Sequence, residues 1–248
     1  MRYALFVGIG LAWASTVGQA QTVRVQFQEA SAPKYLEADG THTAPSGLCP
    51  DILAALARQD PTLTIELDPQ PRPQKRIEHD IGAGTKDAMC GLLSSPERLV
   101  VANRLETPVY MIYERMVGRL DDNAVVASLD DLARIGAAVA VQSGASYLRK
   151  LKDAGVQAIE SGGSDTAVRA VANGRARFFY TNSLTASYFI KAEKLQDKLR
   201  LHPGVLDTSP AYFWVGKHVA PEVVKKLDLA LKRLKRSGEL DRIYARYD

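Results

Sequence analysis

Apolar and polar residues form two recurring patterns along the chain. Residues 22–27 alternate apolar and polar side chains, which predicts a half-buried strand. Residues 51–57 place their apolar side chains three and four positions apart, which predicts a helix, and Pro50 fits its first turn. The strand pattern returns at six further places, residues 63–67, 87–93, 109–117, 137–141, 178–180 and 212–215.

Capping and stop residues mark the helices between these strands. Ser128 and Asp131 resemble a capping box, and Ser164 is predicted to cap a helix that ends at Gly174. Further helices are predicted at residues 73–81, after the turn at 143–146, and twice at the C-terminus with a break at 237–238. Strands that alternate with helices predict parallel α/β sheets. There are too few units for an eight-fold barrel, and no GxGxxG follows the first strand, so the dinucleotide-binding signature is missing.

The first twenty residues have the pattern of a secretory signal. Arg2 precedes an apolar stretch at residues 4–14, and Gly18 and Ala20 are the small residues that a signal peptidase requires. The apolar stretch is shorter than the roughly 20 residues that span a bilayer. We therefore predict a signal peptide at residues 1–20, cleavage before Gln21, and a soluble protein in the periplasm.

The charge balance does not indicate a nucleic-acid partner. The net charge is only +4 despite a pI near 9.0, and the basic residues are scattered. One dense basic run, at residues 225–236, lies on a predicted helix and is typical of a solvated face.

Two cysteines, Cys49 and Cys90, are present in a chain predicted to be exported. An isolated pair in an oxidising compartment predicts one disulfide bond, worth about 4 kcal/mol in the chain-entropy model for a loop of about forty residues. A redox or nucleophilic role for either thiol is the alternative. Two cysteines cannot complete a four-ligand zinc site, and the four histidines lack metal-ligand spacing, so we expect no metal and no cofactor.

Three segments resemble the extracellular solute-binding proteins of family 3, the amino-acid type. They are residues 47–52 (GLCPDI), residues 84–98 with their Ser-Pro-Glu-Arg end, and residues 174–182 (GRARFFYTN). The resemblance implies a type II periplasmic-binding fold, α/β, with two mixed sheets and flanking helices joined by a two-segment hinge. It places lobe one at residues 21–113 and 206–248, lobe two at 114–205, and a hinge motion between them.

The resemblance makes Arg98 the leading candidate for ligand contact. The family's arginine at this position holds the ligand's carboxylate, and a guanidinium group can direct two N–H groups onto two carboxylate oxygens. The alternative is an exposed arginine that pairs with Glu97 or Glu106.

The turn at Ser143, Gly144 and Ser146 is a second candidate. It leads into a helix start, where free backbone N–H groups attract anions, and similar turns in the family help to hold the carboxylate. The alternative is an ordinary helix cap by Ser143 or Ser146.

Tyr35 and Asn182 complete the candidate set. Tyr35 follows the first strand, where the family often has an aromatic residue that stacks on the ligand; a packing or surface role is the alternative. Asn182 replaces the family's aspartate, which pairs with an α-amino group, and Leu93 replaces a Ser or Thr that touches the ligand. Both departures argue against an ordinary α-amino acid ligand. Asp165 is a possible source of the missing charge.

The sequence thus predicts a monomeric periplasmic protein, not an enzyme, that captures a small carboxylate-bearing solute for an ABC permease. Two other functions stay open. One is an enzyme on the same scaffold, as in periplasmic cyclohexadienyl dehydratases, and the other is a sensor or adaptor without transport.

Overall fold

A computed structural model describes residues 21–38, 44–143, 145 and 147–248. The predicted signal peptide at 1–20 therefore lies outside the described residues, as do Gly144 and Ser146. The strands of the described part are β1 Gln21–Gln28, β2 Leu63–Arg72, β3 Ala88–Leu92, β4 Ala102–Arg119, β5 Val139–Gln142, β6 Ala158–Ser161, β7 Phe178–Asn182 and β8 Leu199–Gly216. The helices are α1 Leu48–Gln59, α2 Gln74–Gly82, α3 Pro96–Val101, α4 Leu129–Ile135, α5 Tyr147–Asp153, α6 Ser164–Ala172, α7 Ser183–Ala192, α8 Pro221–Arg236 and α9 Glu239–Tyr244.

The strands form one mixed sheet in the order β2-β1-β3-β8-β4-β7-β5-β6. Strand β1 runs parallel to β2 and β3, and β5 runs parallel to β6 and β7. We call β1–β3 with α1–α3, α8 and α9 the first lobe, and β5–β7 with α4–α7 the second lobe. The α/β two-lobed prediction is confirmed, with one correction: the two expected sheets are continuous through β4 and β8.

Strands β4 and β8 carry the chain between the lobes. Each is 18 residues long, and they pair in antiparallel register from Ala102 opposite Gly216 to Arg119 opposite Leu199. The apolar pattern predicted only residues 109–117 and 212–215, because polar residues and two prolines of β8 interrupt the alternation elsewhere. A strand that is paired along its length by a neighbour needs no continuous apolar face to persist.

Each lobe has its own buried core. In the first lobe α1, α8 and α9 pack on the sheet around residues such as Phe27, Leu48, Ile52, Phe213 and Leu231. In the second lobe the two faces of the sheet are covered separately, by α6 and α7 around Phe179 and by α5 around Phe178 and Tyr180. The exact lobe boundaries given above stay a prediction.

The Cys49–Cys90 disulfide is present and links the first turn of α1 to β3, with the Cα atoms 6.0 Å apart. Both cysteines are buried in the core of the first lobe. The bond therefore joins two elements that also pack against each other.

Several local expectations change in the structure. The apolar pattern did not predict β6, α3 or α7, which are short or lack a clear apolar period. Ser128 caps α4 as predicted, with its hydroxyl accepting from the Asp131 N–H. The cap predicted at Ser164 is wrong. Gly163 holds the cap position of α6, and the Ser164 hydroxyl donates instead to the side-chain oxygen of Gln142 at 2.8 Å.

Candidate functional site

The carboxyl ends of the parallel strands of both lobes meet at one cleft, the position where open α/β sheets bind ligands. A cavity of about 280 Å³ lies there, close to the lower end of the roughly 300–1,000 Å³ typical of small-molecule sites. The Thr185 hydroxyl of α7 lies 3.4 Å from the Ala32 carbonyl oxygen, so the lobes touch beside the cavity. The first lobe lines the cavity with Phe27, Ala30, Ser31, Ala32, Tyr35, Leu36 and Glu37, and the second with Gln142, Gly162, Gly163, Ser164, Asp165, Tyr188 and Phe189.

Tyr35 forms part of the cavity wall and of the first lobe's core. Its residue surface is 3% exposed, and its ring packs on Phe27 with 4.9 Å between centroids. Burial raises the pKa of its hydroxyl above the usual value. The packing role left open by the sequence is therefore present, and stacking on a ligand stays a prediction for its exposed edge.

The structure contradicts the exposed-arginine alternative for Arg98, while its contact with a ligand stays a prediction. It is 5% exposed, and its Nε and Nη2 atoms donate to Glu78 Oε1 at 3.2 and 2.7 Å. Nη1 donates to the Leu93 carbonyl oxygen, and the guanidinium carbon lies 5.2 Å from the centre of the Trp214 ring. The expected pairing with Glu97 or Glu106 is wrong because Arg98 points inward to α2. These three bonds leave two of its five N–H donors for other partners.

Lys34 is a cation at the ends of β1 and β3, next to the cavity-lining Tyr35, that the sequence analysis missed. It is half-buried, and its Nζ donates to the side-chain oxygen of Gln28 and lies 3.5 Å from the Gly91 carbonyl oxygen. Burial, and after it the positive charge of Arg98, lowers the pKa of Lys34 to about 7. The signal available in the sequence was a lysine immediately after Pro33, at the end of a buried strand.

The turn after β5 is less open to anions than the sequence suggested. The Ser143 N–H donates to the Ser161 carbonyl oxygen at 2.8 Å, and the Ala145 N–H donates to the Gln142 carbonyl oxygen at 3.1 Å. The expectation of free N–H groups is therefore wrong at these two positions. Ser143 itself is exposed at the end of β5, where its hydroxyl can still reach the cleft.

Asn182 ends β7 and caps α7. Its side-chain oxygen accepts from the Thr185 N–H at 3.0 Å, and its amide nitrogen donates to the Thr185 hydroxyl at 3.0 Å. Burial raises the pKa of Tyr147 to about 12, with the charge of Glu114 adding to it and a hydrogen bond with Asn182 opposing it. Asn182 is thus half-buried between α5 and α7, and its contact with a ligand stays a prediction.

Asp165, the suggested replacement for the family's aspartate, lines the cavity but is already paired. Its carboxylate accepts from Arg169 one turn along α6 at 2.5 Å. This i,i+4 pair places Asp165 in the first turn of α6, where a carboxylate also stabilises the helix start.

Glu114 is a second carboxylate near Asn182 that no sequence pattern indicated. It is 1% exposed and lies opposite both Asn182 and Asp207 on the neighbouring strands. Lys150 of α5 donates to its two oxygens at 2.7 and 2.9 Å and to Asp207 at 2.7 Å, and Tyr180 donates to it as well. The cluster joins α5 to β4 and β8, the two strands that carry the chain between the lobes. The positive charge of Lys150 offsets the negative charge of Glu114.

A larger cavity of about 510 Å³ lies on the outside of the first lobe. Its lining residues come from 103–106 at the start of β4 and from 217–228 around the start of α8. Because the second lobe contributes none of these residues, this cavity is separate from the cleft.

The comparisons with known proteins agree with this architecture. The family model for bacterial extracellular solute-binding proteins, family 3, matches residues 23–247, and the chain belongs to that family. No curated protein sequence matches it significantly. Within the described residues, no helix has the length and apolar character needed to cross a membrane.

Solved structures with low sequence identity share the fold. A histidine kinase sensor domain with similarity to periplasmic binding proteins has a TM-score of 0.73 at 18% identity, covering 92% of this chain and 96% of that one. An ancestral amino acid-binding protein, a precursor of cyclohexadienyl dehydratase, has a TM-score of 0.71 at 23% identity, covering 91% and 94%. The substrate-binding protein of an amino acid ABC transporter has a TM-score of 0.68 at 18% identity, covering 91% and 98%.

Proposed function

We propose that this protein binds a small carboxylate-bearing solute in the cleft between its lobes and delivers it to an ABC permease of the inner membrane. The observation that carries the proposal is the cavity of about 280 Å³, to which both lobes contribute at the carboxyl ends of their strands. A site divided between two lobes joined by two strands is suited to closing around a ligand by a hinge motion.

The charges at the first lobe's edge favour an anionic group. Arg98 and Lys34 both bond main-chain carbonyl oxygens of the Gly91–Leu93 segment, so two cations lie at the end of β3. Arg98 shares its charge with Glu78 but keeps two N–H donors, and a guanidinium group suits a carboxylate. In this proposal Arg98 holds a ligand carboxylate, and Tyr35, Asn182 and the turn at Ser143, Gly144 and Ser146 line the same site.

A binding role is favoured over a catalytic one by the state of the nearby carboxylates. A general base needs a free oxygen within hydrogen-bond reach of the substrate. Glu114 is buried and already accepts from Lys150 and Tyr180, and Asp165 is paired with Arg169. These contacts engage Glu114 and Asp165, and the other described carboxylate of the cavity lining, Glu37, is exposed to solvent.

Delivery to a permease is supported by the family and by one structure of similar fold, and the monomeric state stays a prediction from the sequence. Family 3 proteins are described as extracellular solute-binding proteins, and one structure of similar fold serves an amino acid ABC transporter. The predicted signal peptide agrees with a periplasmic location. A sensor role is the second candidate, because a histidine kinase sensor domain has the same fold.

A thermal-shift screen of residues 21–248 tests the binding proposal. The compounds are amino acids, dicarboxylates, polyamines and aromatic acids, each compared with sodium chloride at the same ionic strength. A ligand at a hundred times its dissociation constant adds about 2.7 kcal/mol of stability. We expect at least one carboxylate to raise the unfolding temperature. Stabilisation only by polyamines, or by no compound at all, contradicts the proposal.

A further inference from the structure

Lys34 is a half-buried cation whose acceptors are neutral. Its Nζ contacts the side-chain oxygen of Gln28 at the end of β1 and the Gly91 carbonyl oxygen at the end of β3. Partly buried charges are normally paired, because neutral acceptors replace only part of the lost hydration. Among the residues that the structure describes, no carboxylate forms an ion pair with Lys34. Its charge therefore lacks the partner that its burial calls for.

The surroundings of Lys34 add positive charge. Arg98 approaches the same segment of β3 from α3 and bonds the Leu93 carbonyl oxygen, and its charge disfavours the charged form of Lys34. Glu78 pairs with Arg98. In the described segments of the chain, the other titratable groups beside Lys34 are the hydroxyls of Tyr35 and Tyr110, which burial keeps neutral by raising their pKa values.

The backbone is fitted around this lysine. Gly91 has a φ of +74°, and a Cβ atom at this position would collide with the Tyr110 hydroxyl and with Cδ of Lys34. The Tyr110 hydroxyl in turn donates to the Gly91 carbonyl oxygen at 3.1 Å. Only glycine accepts this combination of backbone conformation and close approach. Lys34 is thus held in place at the strand ends, unlike a freely moving surface lysine.

We propose that Lys34 is an anion-binding residue of the cleft and that the ligand is a dicarboxylate, with its second carboxylate paired to Lys34. The inference rests on the proposed function and specifies its ligand class. One carboxylate uses the remaining N–H donors of Arg98, and the other supplies the anion that Lys34 lacks. The second lobe lines the neighbouring cavity with the neutral side chains of Gln142 and Ser164 and with Asp165, whose charge is paired with Arg169.

A pH dependence follows from the position of Lys34. Its pKa in the protein is about 7, so the lysine is partly neutral at pH 7.5. A bound carboxylate favours the charged form, so binding raises this pKa and takes up a fraction of a proton. The contribution of Lys34 to dicarboxylate affinity is therefore present below pH 7, where the lysine is charged, and is lost as the pH rises above 7.

The experiment is titration calorimetry with the dicarboxylates from malonate to adipate, each compared with its half-amide. The half-amide keeps the shape and removes one charge. In the wild type, the best dicarboxylate should bind at least about tenfold more tightly than its half-amide, as expected for a hydrogen bond to a charged group. Lys34→Met should reduce this ratio to about one. The control Lys226→Met removes a half-buried lysine of α8 that donates to the Thr62 hydroxyl at 2.9 Å, away from the strand ends, and it should leave the ratio unchanged.

Proton uptake provides a second measurement that needs no variant. At pH 7.5, the apparent enthalpy in buffers of different ionisation enthalpy should show uptake of a fraction of a proton with the dicarboxylate, and less with the half-amide. A preference for the dicarboxylate that persists in Lys34→Met, or the absence of proton uptake, overturns the role of Lys34. Equal binding of dicarboxylates and half-amides overturns it as well but leaves the proposed function intact. If no carboxylate of any class binds, both proposals fail.

Discussion

The two lobes share a strand order but differ in the charges at their shared cleft. The order β2-β1-β3 of the first lobe matches β6-β5-β7 of the second, and each set is parallel. The first lobe brings Lys34 and Arg98 to the ends of its strands, whereas the second brings the neutral Asn182 and exposed Ser143. The two lobes thus share a backbone arrangement but carry different side chains at the ends of their strands. Strand order determines where the strand ends lie but not which side chains occupy them.

The lobes also differ in the interactions that stabilise each of them. The first lobe has a disulfide between α1 and β3 and is covered by α8 and α9. The second has an ion-pair cluster, in which Lys150 joins α5 to Glu114 and Asp207 on the crossing strands. The disulfide stabilises its lobe mainly by constraining the unfolded chain. The ion pair instead offsets the desolvation cost of burying its own charges. Three experiments test this comparison, from the largest expected effect to the smallest.

Removal of the disulfide should have the largest effect. The double substitution Cys49→Ala and Cys90→Ala should lower the free energy of unfolding of the first lobe by about 4 kcal/mol, because the bond closes a loop with a sequence separation of 41. The measurement is denaturant unfolding with hydrogen exchange resolved by lobe. Amides of β5–β7 should keep their protection. An equal loss in both lobes would show that the continuous sheet unfolds as one unit. Free thiols in the denatured, unreduced wild type would contradict the bond itself.

Loss of the Arg98 side chain should affect both stability and binding. Arg98→Ala leaves Glu78, whose side chain is 14% exposed, without its partner, so we expect a cost at or below the lower end of the roughly 3–5 kcal/mol range for broken buried pairs. The double variant Arg98→Met with Glu78→Gln removes both charges and should recover most of that loss. Calorimetry on the double variant should show carboxylate binding weakened by more than about 1.5 kcal/mol.

The matching substitution in the second lobe is Lys150→Met. It leaves Glu114 buried with Tyr180 as its remaining donor among the described residues, so stability should fall while the carboxylate affinity stays close to that of the wild type. If the Arg98 double variant binds as tightly as the wild type, Arg98 is only a structural residue. If Lys150→Met weakens binding as strongly, the assignment of anion binding to the first lobe is wrong.

The smallest expected effect concerns Asn182. An ammonium group in the closed cleft would lack a counter-charge here, because Glu114 is paired with Lys150, so wild type should bind a deaminated acid at least as tightly as the corresponding amino acid. Asn182→Asp keeps the helix cap, since both residues are good caps, and should shift the preference toward the amino form by up to about tenfold. The measurement is calorimetry with matched pairs of ligands on both proteins. A tenfold preference of the wild type for the amino form would show that the charge comes from elsewhere.

The sequence predicted the positions of several candidate site residues but not their interaction partners, and the reason is physical. The end of a strand is visible in an apolar pattern, so the positions of Tyr35, Asn182 and the turn after β5 could be placed near a cleft. The partner of a side chain is not visible when it lies on another element. Glu78 is 20 residues from Arg98, and Lys150 is 36 from Glu114. Lys34 was missed because a lysine after a strand is usually a solvated residue.

By itself, the sequence determined the α/β class, the disulfide pair and the family, because periodicity, cysteine number and motif order are properties of the chain. The tertiary structure alone decided that β4 and β8 join two half-sheets, since pairing between strands some hundred residues apart depends on both partners at once. It also decided which charges are free at the cleft. Within the part of the chain that the structure describes, Arg98 is paired with a carboxylate and Lys34 is not, a difference set by distances of a few ångströms between elements that no local pattern encodes.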